Sequence, residues 1–344
     1  MDQAASGIGN VAPNAALVQM AMSFARSRVV CAAARLGVAD ALGDEVRSVD
    51  QLAQTCQADP DALYRLLRAL AGIGITEEIE PRHFRLTPLG KPLRRDAPQS
   101  AWPAVVFWAD LLADNWSLLT ECVRTGQPAH QVRAPGVPSR WSQDPDAGDI
   151  FRAVMGTAPA QDYAPIAKAW DFSRASVVAD LGGGGGALIL AVLERYPHLR
   201  GMLVDLEPSI EAAKPRFADL ASRCPLLVAD LMESVPAGAD VYMLKHVLHG
   251  RGDADAVVML RNCRAVIPEN GALLIVEFIL PPRVAQADPQ LEIHLMSDLN
   301  MLAVTGGRER SEQEWRTLLE AAGFRVAGVF PVGSEIGIVE ARPV

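Results

Sequence analysis

The stretch VVADLGGGGGALILAV, residues 177–192, sets five consecutive glycines between two apolar runs. Glycine costs about 0.5–1 kcal/mol against alanine inside a regular element, so five together need a reason. A flexible turn is one reading, because glycines punctuate loops. The other is a backbone that must come very close to a ligand. The flanks bear on the choice. SVVADL reads as a short buried strand and GALILAVLERYP as a helix closed by Pro197, which puts the glycines at a strand-to-helix turn.

Toward the C-terminus the alternation continues. RGMLVDL reads as a second strand, EPSIEAAKPRFADLA as a helix, CPLLVADL as a third strand and ADVYMLKHVLH as a fourth. ADAVVMLRNCRAVIP is a helix, GALLIVEFIL a strand and SEQEWRTLLEAAGF a helix; RVAGVFPV with IGIVEARP makes a closing β-hairpin. This alternation predicts an α/β domain with a mostly parallel sheet, helices on both faces and ligands at the carboxyl ends of the strands. The glycines fall immediately after the first strand.

Toward the N-terminus the chain reads as helical up to about Trp170. AALVQMAMSFARSRVVCAAARLGVADAL carries Leu17, Met20, Phe24, Val29, Ala32, Leu36 and Val38 at three- and four-residue steps, a broad apolar stripe with Gly43 as its stop. Ser48 can cap a short helix, and Asp59-Pro60 can open a second. GITEEIEPRHFRLTPLG then reads as two short strands around a turn. Helix, turn, helix, hairpin is the winged-helix pattern. Such modules often bind DNA, yet residues 1–100 hold eleven basic and eleven acidic side chains. In the candidate recognition helix, Arg65 and Arg68 are set against Asp59 and Asp61. DNA affinity rests largely on Lys and Arg against phosphates, and this chain carries a net charge of −9. Dimerisation or a substrate lid fits the module better, and no nucleic-acid partner is expected. The stripe is too long for a small module to bury alone, so a homodimer centred on that helix is expected.

A chain of 344 residues has room for two domains, and its half-hydrophobic composition excludes general disorder. The five cysteines (31, 56, 122, 224, 263) show no C-x-x-C spacing and no cluster with histidine, which reads as reduced thiols rather than a disulfide frame or zinc site. MDQAASGIGNVAPNAAL lacks the basic start and apolar core of a signal peptide. No stretch approaches the ~20 apolar residues of a membrane span. A cytoplasmic location without a membrane partner is expected.

The run Gly182-x-Gly184-x-x-Ala187, with Asp205 ending the second strand, satisfies the dinucleotide pattern, so NAD fits that pattern alone. Three features point elsewhere. Asp180 precedes the glycines, where an acid suits a cationic ligand better than a pyrophosphate. Asp230 ends the third strand and is suited to accept from an exocyclic amine. DVYMLKHVLHGRGD places Lys245 and His249 beyond the fourth strand.

The blocks DLGGGGGA, LVDLEP, ADLMESVPAGADVYMLKHVLH, LLIVEFILP and DLNMLAVTGGRERSEQEWRTLLEAAGF, in that order, resemble the plant-type O-methyltransferase family that uses S-adenosylmethionine. The likeness covers essentially the whole chain. It implies a Rossmann-like methyltransferase sheet behind a mainly α, winged-helix dimerisation domain. Residues 1–100 would dimerise, 101–170 would connect and contribute to the substrate pocket, and 171–344 would bind the cofactor and catalyse. Gly182 and Gly184 would line the methionine part of S-adenosylmethionine, Asp205 the ribose, and Asp230 and Leu231 the adenine, with Lys245 also touching the cofactor. His249 matches the general base, and Glu277 and Glu309 match the carboxylates that orient it. The acceptor would be a hydroxylated aromatic small molecule of specialised metabolism.

The chemistry stands beside the resemblance. A phenol titrates near pH 10, so an adjacent imidazole can take its proton as it attacks. Carboxylates fix the imidazole tautomer and raise its basicity. No metal is needed, although His246 and His249, three apart, also have metal-ligand spacing. Trp108, Phe151, Met155, Met296 and Met301 are candidates for an aromatic pocket, with simple core as the alternative. One departure stands out: the family follows its histidine with Asp-Trp, whereas this chain has Gly250-Arg251. The Arg251 guanidinium can stack where that Trp packs near the adenine. Two other readings stay open at this point: a relative using the cofactor for decarboxylation, hydroxylation or cyclisation, and a transcriptional regulator with a ligand-binding α/β domain.

Overall fold

In the computed structural model, which describes residues 12–137, 145–156, 160–333 and 336–344, proline and glycine delimit the first helix. Pro13 opens α1 (Pro13–Arg35), and Gly37 at φ +69° turns the chain into α2 (Val38–Leu42). The single stripe expected to run on to Gly43 is therefore broken, because the left-handed Gly37 ends the helical ladder. Only Cys31, Ala33 and Ala34 of α1 are buried. Leu17, Met20 and Phe24 stand 67%, 60% and 69% exposed.

The chain divides between Asp114 and Asn115 into two compact units. In the first, β1 (Arg47–Ser48) leads into α3 (Val49–Cys56), where Ser48 and Gln51 form a reciprocal capping box. Asp59 caps α4 (Pro60–Gly72) by accepting from the Asp61 and Ala62 N–H groups. β2 (Thr76–Glu80) and β3 (His83–Leu86) complete an antiparallel sheet of order β1-β3-β2, the wing that the sequence predicted.

The second unit is built on seven strands: β4 (Val177–Leu181), β5 (Arg200–Asp205), β6 (Leu226–Val228), β7 (Val241–Lys245) and β8 (Ala272–Glu277), then β11 (Phe324–Val332) and β12 (Ile336–Pro343). Between these last groups, β9 (Ile279–Leu280) and β10 (Arg310–Ser311) pair in parallel. The large sheet has the order β11-β12-β8-β7-β4-β5-β6; its first five strands in sequence are parallel and the C-terminal hairpin is antiparallel. From β4 the chain winds outward through β5 and β6, then returns to add β7 and β8 on the other side. The crevice at the carboxyl ends of β4 and β7 is thus a topological switch point, where such sheets bind ligands. Both faces are covered: Val178 packs with Leu188, Leu203 and Phe217, while its neighbour Ala179 packs with Leu244, Met259 and Trp315.

Two expected elements end early. β7 stops at Lys245, because His246 takes φ +51° and leaves the ladder; a 3₁₀ turn, Leu248–Gly250, follows. The helix Glu207–Ala213 gives way to a 3₁₀ segment, Lys214–Leu220, where Pro215 removes a backbone donor.

Candidate functional site

The glycine run is a fixed cradle. The Gly182 N–H donates to the Val204 carbonyl at 2.7 Å, and the Gly184 N–H to Asp205 Oδ2 at 2.8 Å, which ties the run to β5. Gly184 takes φ +54°, and a Cβ placed there would project into open space. At Gly183 a side chain would overlap Asp180 and Leu203 instead. The first position leaves backbone bare for a ligand; the second lets the run lie close on the sheet.

Asp180 does not face a ligand as its place in the sequence suggested. Its carboxyl is buried beneath Gly183, with Oδ2 accepting from the Ile189 N–H at 3.3 Å and Oδ1 without a partner among the described residues. Burial pushes its pKa up to about 7. Asp205 is more open: Oδ1 accepts from the Leu206 N–H at 2.7 Å, and each oxygen keeps a lone pair for a further donor. Asp230 is exposed beyond β6, with Oδ1 held by the Met232 N–H at 2.8 Å, while the Leu231 side chain is buried. The Lys245 ammonium lies 4.9 Å from the centre of the Tyr163 ring. Burial pushes the lysine down, against the pull of Glu277 and Asp180. Tyr163 was not foreseen, since a tyrosine in a 3₁₀ turn carries no motif.

Beyond β7 the structure gathers His249, Glu277 and Glu309. His249 Nδ1 is 2.8 Å from Glu309 Oε1 and 3.5 Å from Glu277 Oε2. The shorter bond assigns the proton to Nδ1 and leaves Nε2 as the basic atom. Burial pushes the histidine down, but Glu277 and Glu309 push it up by more, and the balance lies above the ordinary value. The Ser297 hydroxyl donates to the same Glu309 oxygen at 2.8 Å, and the Glu309 N–H donates to Asp298 Oδ1 at 2.8 Å. Glu277 is fully buried, and its work is divided. Oε1 accepts from the Val247 and His249 N–H groups, at 3.1 and 3.3 Å, while Oε2 meets His246 Nδ1 at 3.0 Å. Burial raises its pKa, the two histidines lower it by more, and the carboxyl stays ionised. Glu309 is thus the closer partner of the His249 ring, and Glu277 holds the turn that carries it.

Two further residues fix that turn. Gly307 lies so close beneath it that a Cβ would fall on the His249 carbonyl oxygen and the Gly250 carbonyl carbon. Arg310, 1% exposed, donates to the Leu248 carbonyl at 3.1 Å, the Arg251 carbonyl at 2.9 Å and Asp253 Oδ1 at 2.7 Å. The sequence signal for both was the GGRER block, where only Glu309 had been singled out. His246, His249 and Glu277 each offer a ligand atom within 4.8 Å of the others, with both Nδ1 atoms engaged by carboxylates.

Of the pocket candidates, Phe151 and Met155 lie one turn apart on the helix Pro145–Gly156 and are exposed. Met296 and Met301 lie on the helix Pro289–Val304, which also carries Ser297; Met296 is exposed and Met301 half-buried. Trp108 is exposed in the first unit. Among the described residues no helix is long and apolar enough to cross a membrane.

Comparison with known proteins gives two family matches: an O-methyltransferase domain over residues 116–325 and an O-methyltransferase dimerisation domain over residues 18–96. Phenazine O-methyltransferase PhzM of Lysobacter antibioticus is 34% identical over 339 residues, 98% of this chain and 98% of that protein. O-demethylpuromycin-O-methyltransferase of Streptomyces alboniger is 36% identical over 336 residues, covering 95% and 89%. The solved structure of the O-methyltransferase NcsB1, in complex with S-adenosyl-L-homocysteine and 1,4-dihydroxy-2-naphthoic acid, superposes with a TM-score of 0.80. It is 32% identical and covers 93% of this chain and 96% of that one.

Proposed function

The chain belongs to the O-methyltransferase family, and from that premise we propose that it methylates a hydroxyl of an aromatic small molecule with His249 as general base. It is an S-adenosylmethionine-dependent O-methyltransferase of the bacterial specialised-metabolism type. The residues suit the cofactor. The bare backbone at Gly184, beside Gly182 packed on Val247, would hold its methionine end, the free lone pairs of Asp205 the ribose hydroxyls, and Asp230 with Leu231 the adenine. Lys245 would close the site beside Tyr163. When bound, the cofactor supplies a methyl group already activated on a sulfonium.

His249 supplies the rest. As the acceptor oxygen attacks, its proton moves to Nε2, and the ionised pair Glu309 and Glu277 stabilises the imidazolium that forms. The turn fixed by Gly307 and Arg310 keeps that nitrogen in place, so the protein contributes mainly alignment, which can supply roughly 7–11 kcal/mol at best. No step needs a metal. Phe151, Met155, Met296 and Met301 would give the acceptor its apolar walls.

The observation that carries this reading is the part-buried bond between His249 Nδ1 and Glu309, which leaves one imidazole nitrogen basic. The phenazine and naphthoic acid in the names of PhzM and the NcsB1 complex support an aromatic acceptor. A homodimer is supported by the exposed apolar half of α1 within the dimerisation match. Against nucleic acid, the cations of the wing are paired: Arg82 with Asp50 and Asp61, and Arg85 with Glu77. Transfer of labelled methyl to a panel of phenols tests the function. His249→Ala should cut kcat by about 10²–10⁴ while S-adenosylhomocysteine still raises Tm. Wild-type turnover in that variant at neutral pH would refute the base assignment.

A further inference from the structure

His246 has no part in the mechanism so far, yet it is held tightly. Its φ of +51° is a left-handed conformation uncommon in non-glycine residues. Its ring meets two others, His249 at 5.1 Å and 28° from parallel, and Phe278 at 5.0 Å. Phe278 stacks in turn on His294 at 4.2 Å. His246 Nδ1 is 3.0 Å from Glu277 Oε2, and His249 Nδ1 is 3.5 Å from the same oxygen. The two nitrogens of an imidazole point in nearly opposite directions. With the His246 Nδ1 bonded to Glu277 and the His249 Nδ1 bonded to Glu309 and close to Glu277, each Nε2 turns away from its buried carboxylate; the two side chains keep 25% and 16% of their surface open.

We propose that His246 is a specificity-determining residue of the acceptor site, and that the acceptor carries two neighbouring hydroxyls, on adjacent or peri ring carbons. This rests on the reading of His249 as base. Ionised Glu277 accepts from His246, so the proton sits on Nδ1 and Nε2 is a bare acceptor. His249 Nε2 is bare for the same reason, through Glu309. Two acceptors side by side match two donors side by side. One hydroxyl yields its proton to His249 and is methylated; its neighbour donates a hydrogen bond to His246. A monomethyl ether has lost one donor whichever way round it binds, so a second methylation is slower than the first.

The test compares each diol with its own monomethyl ether: catechol with guaiacol, and 1,8-dihydroxynaphthalene with its monoether. Values of kcat/KM are measured with S-adenosylmethionine, and Kd with protein loaded with S-adenosylhomocysteine. The native protein should prefer each diol by about tenfold or more, the usual worth of one hydrogen bond to a substrate group. In His246→Phe, which keeps a ring against His249 and Phe278, that ratio should fall toward one. His246→Asn, whose side chain tolerates the left-handed backbone, should give the same collapse and serves if the first variant fails to fold. A ratio near one in the native protein, or a ratio unchanged in both variants, overturns the proposal. Diols that bind preferentially yet receive no labelled methyl would leave it standing and sink the O-methylation reading instead.

Discussion

Glu309→Gln removes one of the two charges that raise His249. The glutamine keeps the length of the side chain and can offer an amide oxygen to the same Nδ1–H, so geometry is retained and charge is lost. In the native protein burial pushes His249 down and the two carboxylates push it further up. Free base therefore accumulates only above the ordinary histidine value of about 6.5, and the acid limb of kcat/KM should lie above that pH. With Glu309 neutral, burial gains ground and the limb should move to lower pH. Exchanging a charge-assisted hydrogen bond for a neutral one costs about 1–2 kcal/mol, which on the plateau is about a 5–30-fold loss in kcat. Stability carries the same signature. A histidine whose folded pKa is raised contributes stability that is full below its unfolded value and is lost as pH rises through the folded one. Native Tm should fall across that window, and the variant's should fall less. Initial rates of labelled methyl transfer and thermal melts in the same buffers, from about pH 5.5 to 9, read both effects around the histidine range. An acid limb that stays put or moves upward in Glu309→Gln would refute the electrostatic account of the base.

Asp205→Ala should abolish the rise in Tm that S-adenosylhomocysteine gives the native protein, worth about 2.7 kcal/mol at a hundredfold excess over Kd; a retained shift would move the ribose site elsewhere. Gly307→Ala should lower kcat at least about tenfold, because its Cβ falls on the His249 carbonyl and small displacements of a catalytic group are costly. Native turnover in that variant would show that the turn is not held as described. Asp180→Asn removes a buried carboxyl that titrates at about 7. The stability this acid contributes in its neutral form is lost as pH rises toward that value, so the variant should gain a few degrees in Tm at pH 8 and much less near pH 5. Leu17→Glu with Phe24→Glu, both at exposed positions of α1, should turn a dimer into a monomer by light scattering at micromolar concentration without loss of helix signal.

The fold was legible where one residue decides a local outcome. Ser48 and Asp59 cap the helices they precede, and the alternation after residue 170 forms the parallel sheet. It was illegible where a backbone angle decides. Nothing in the sequence distinguishes Gly37, which breaks the first helix, from a glycine tolerated inside one. A positive φ at His246 ends β7 before the apolar run HVL is spent. The run at 182–186 reads in the sequence as one feature with one reason, but its glycines differ: Gly184 faces open space, and Gly183 faces the buried Asp180.

The site shows the same limit at the level of charge. Residue types at strand ends could point to His249, Glu277 and Glu309, but not to how their hydrogen bonds are shared. Glu277 spends one oxygen on backbone N–H groups and the other on His246, so it serves the turn as well as the charge of the base. Arg310 was invisible for a related reason. Beside the exposed Arg308, it reads as surface charge, yet its guanidinium is buried over the Trp315 ring at 5.1 Å and bonded to carbonyls on both sides of His249. A buried cation is costly unless nearly every donor is satisfied. Here the carbonyls of Leu248 and Arg251 and the Asp253 carboxylate satisfy it only while the turn keeps its shape. Moving the turn would strand that charge, so the cost of an unpaired buried guanidinium becomes a restoring force on the position of the base.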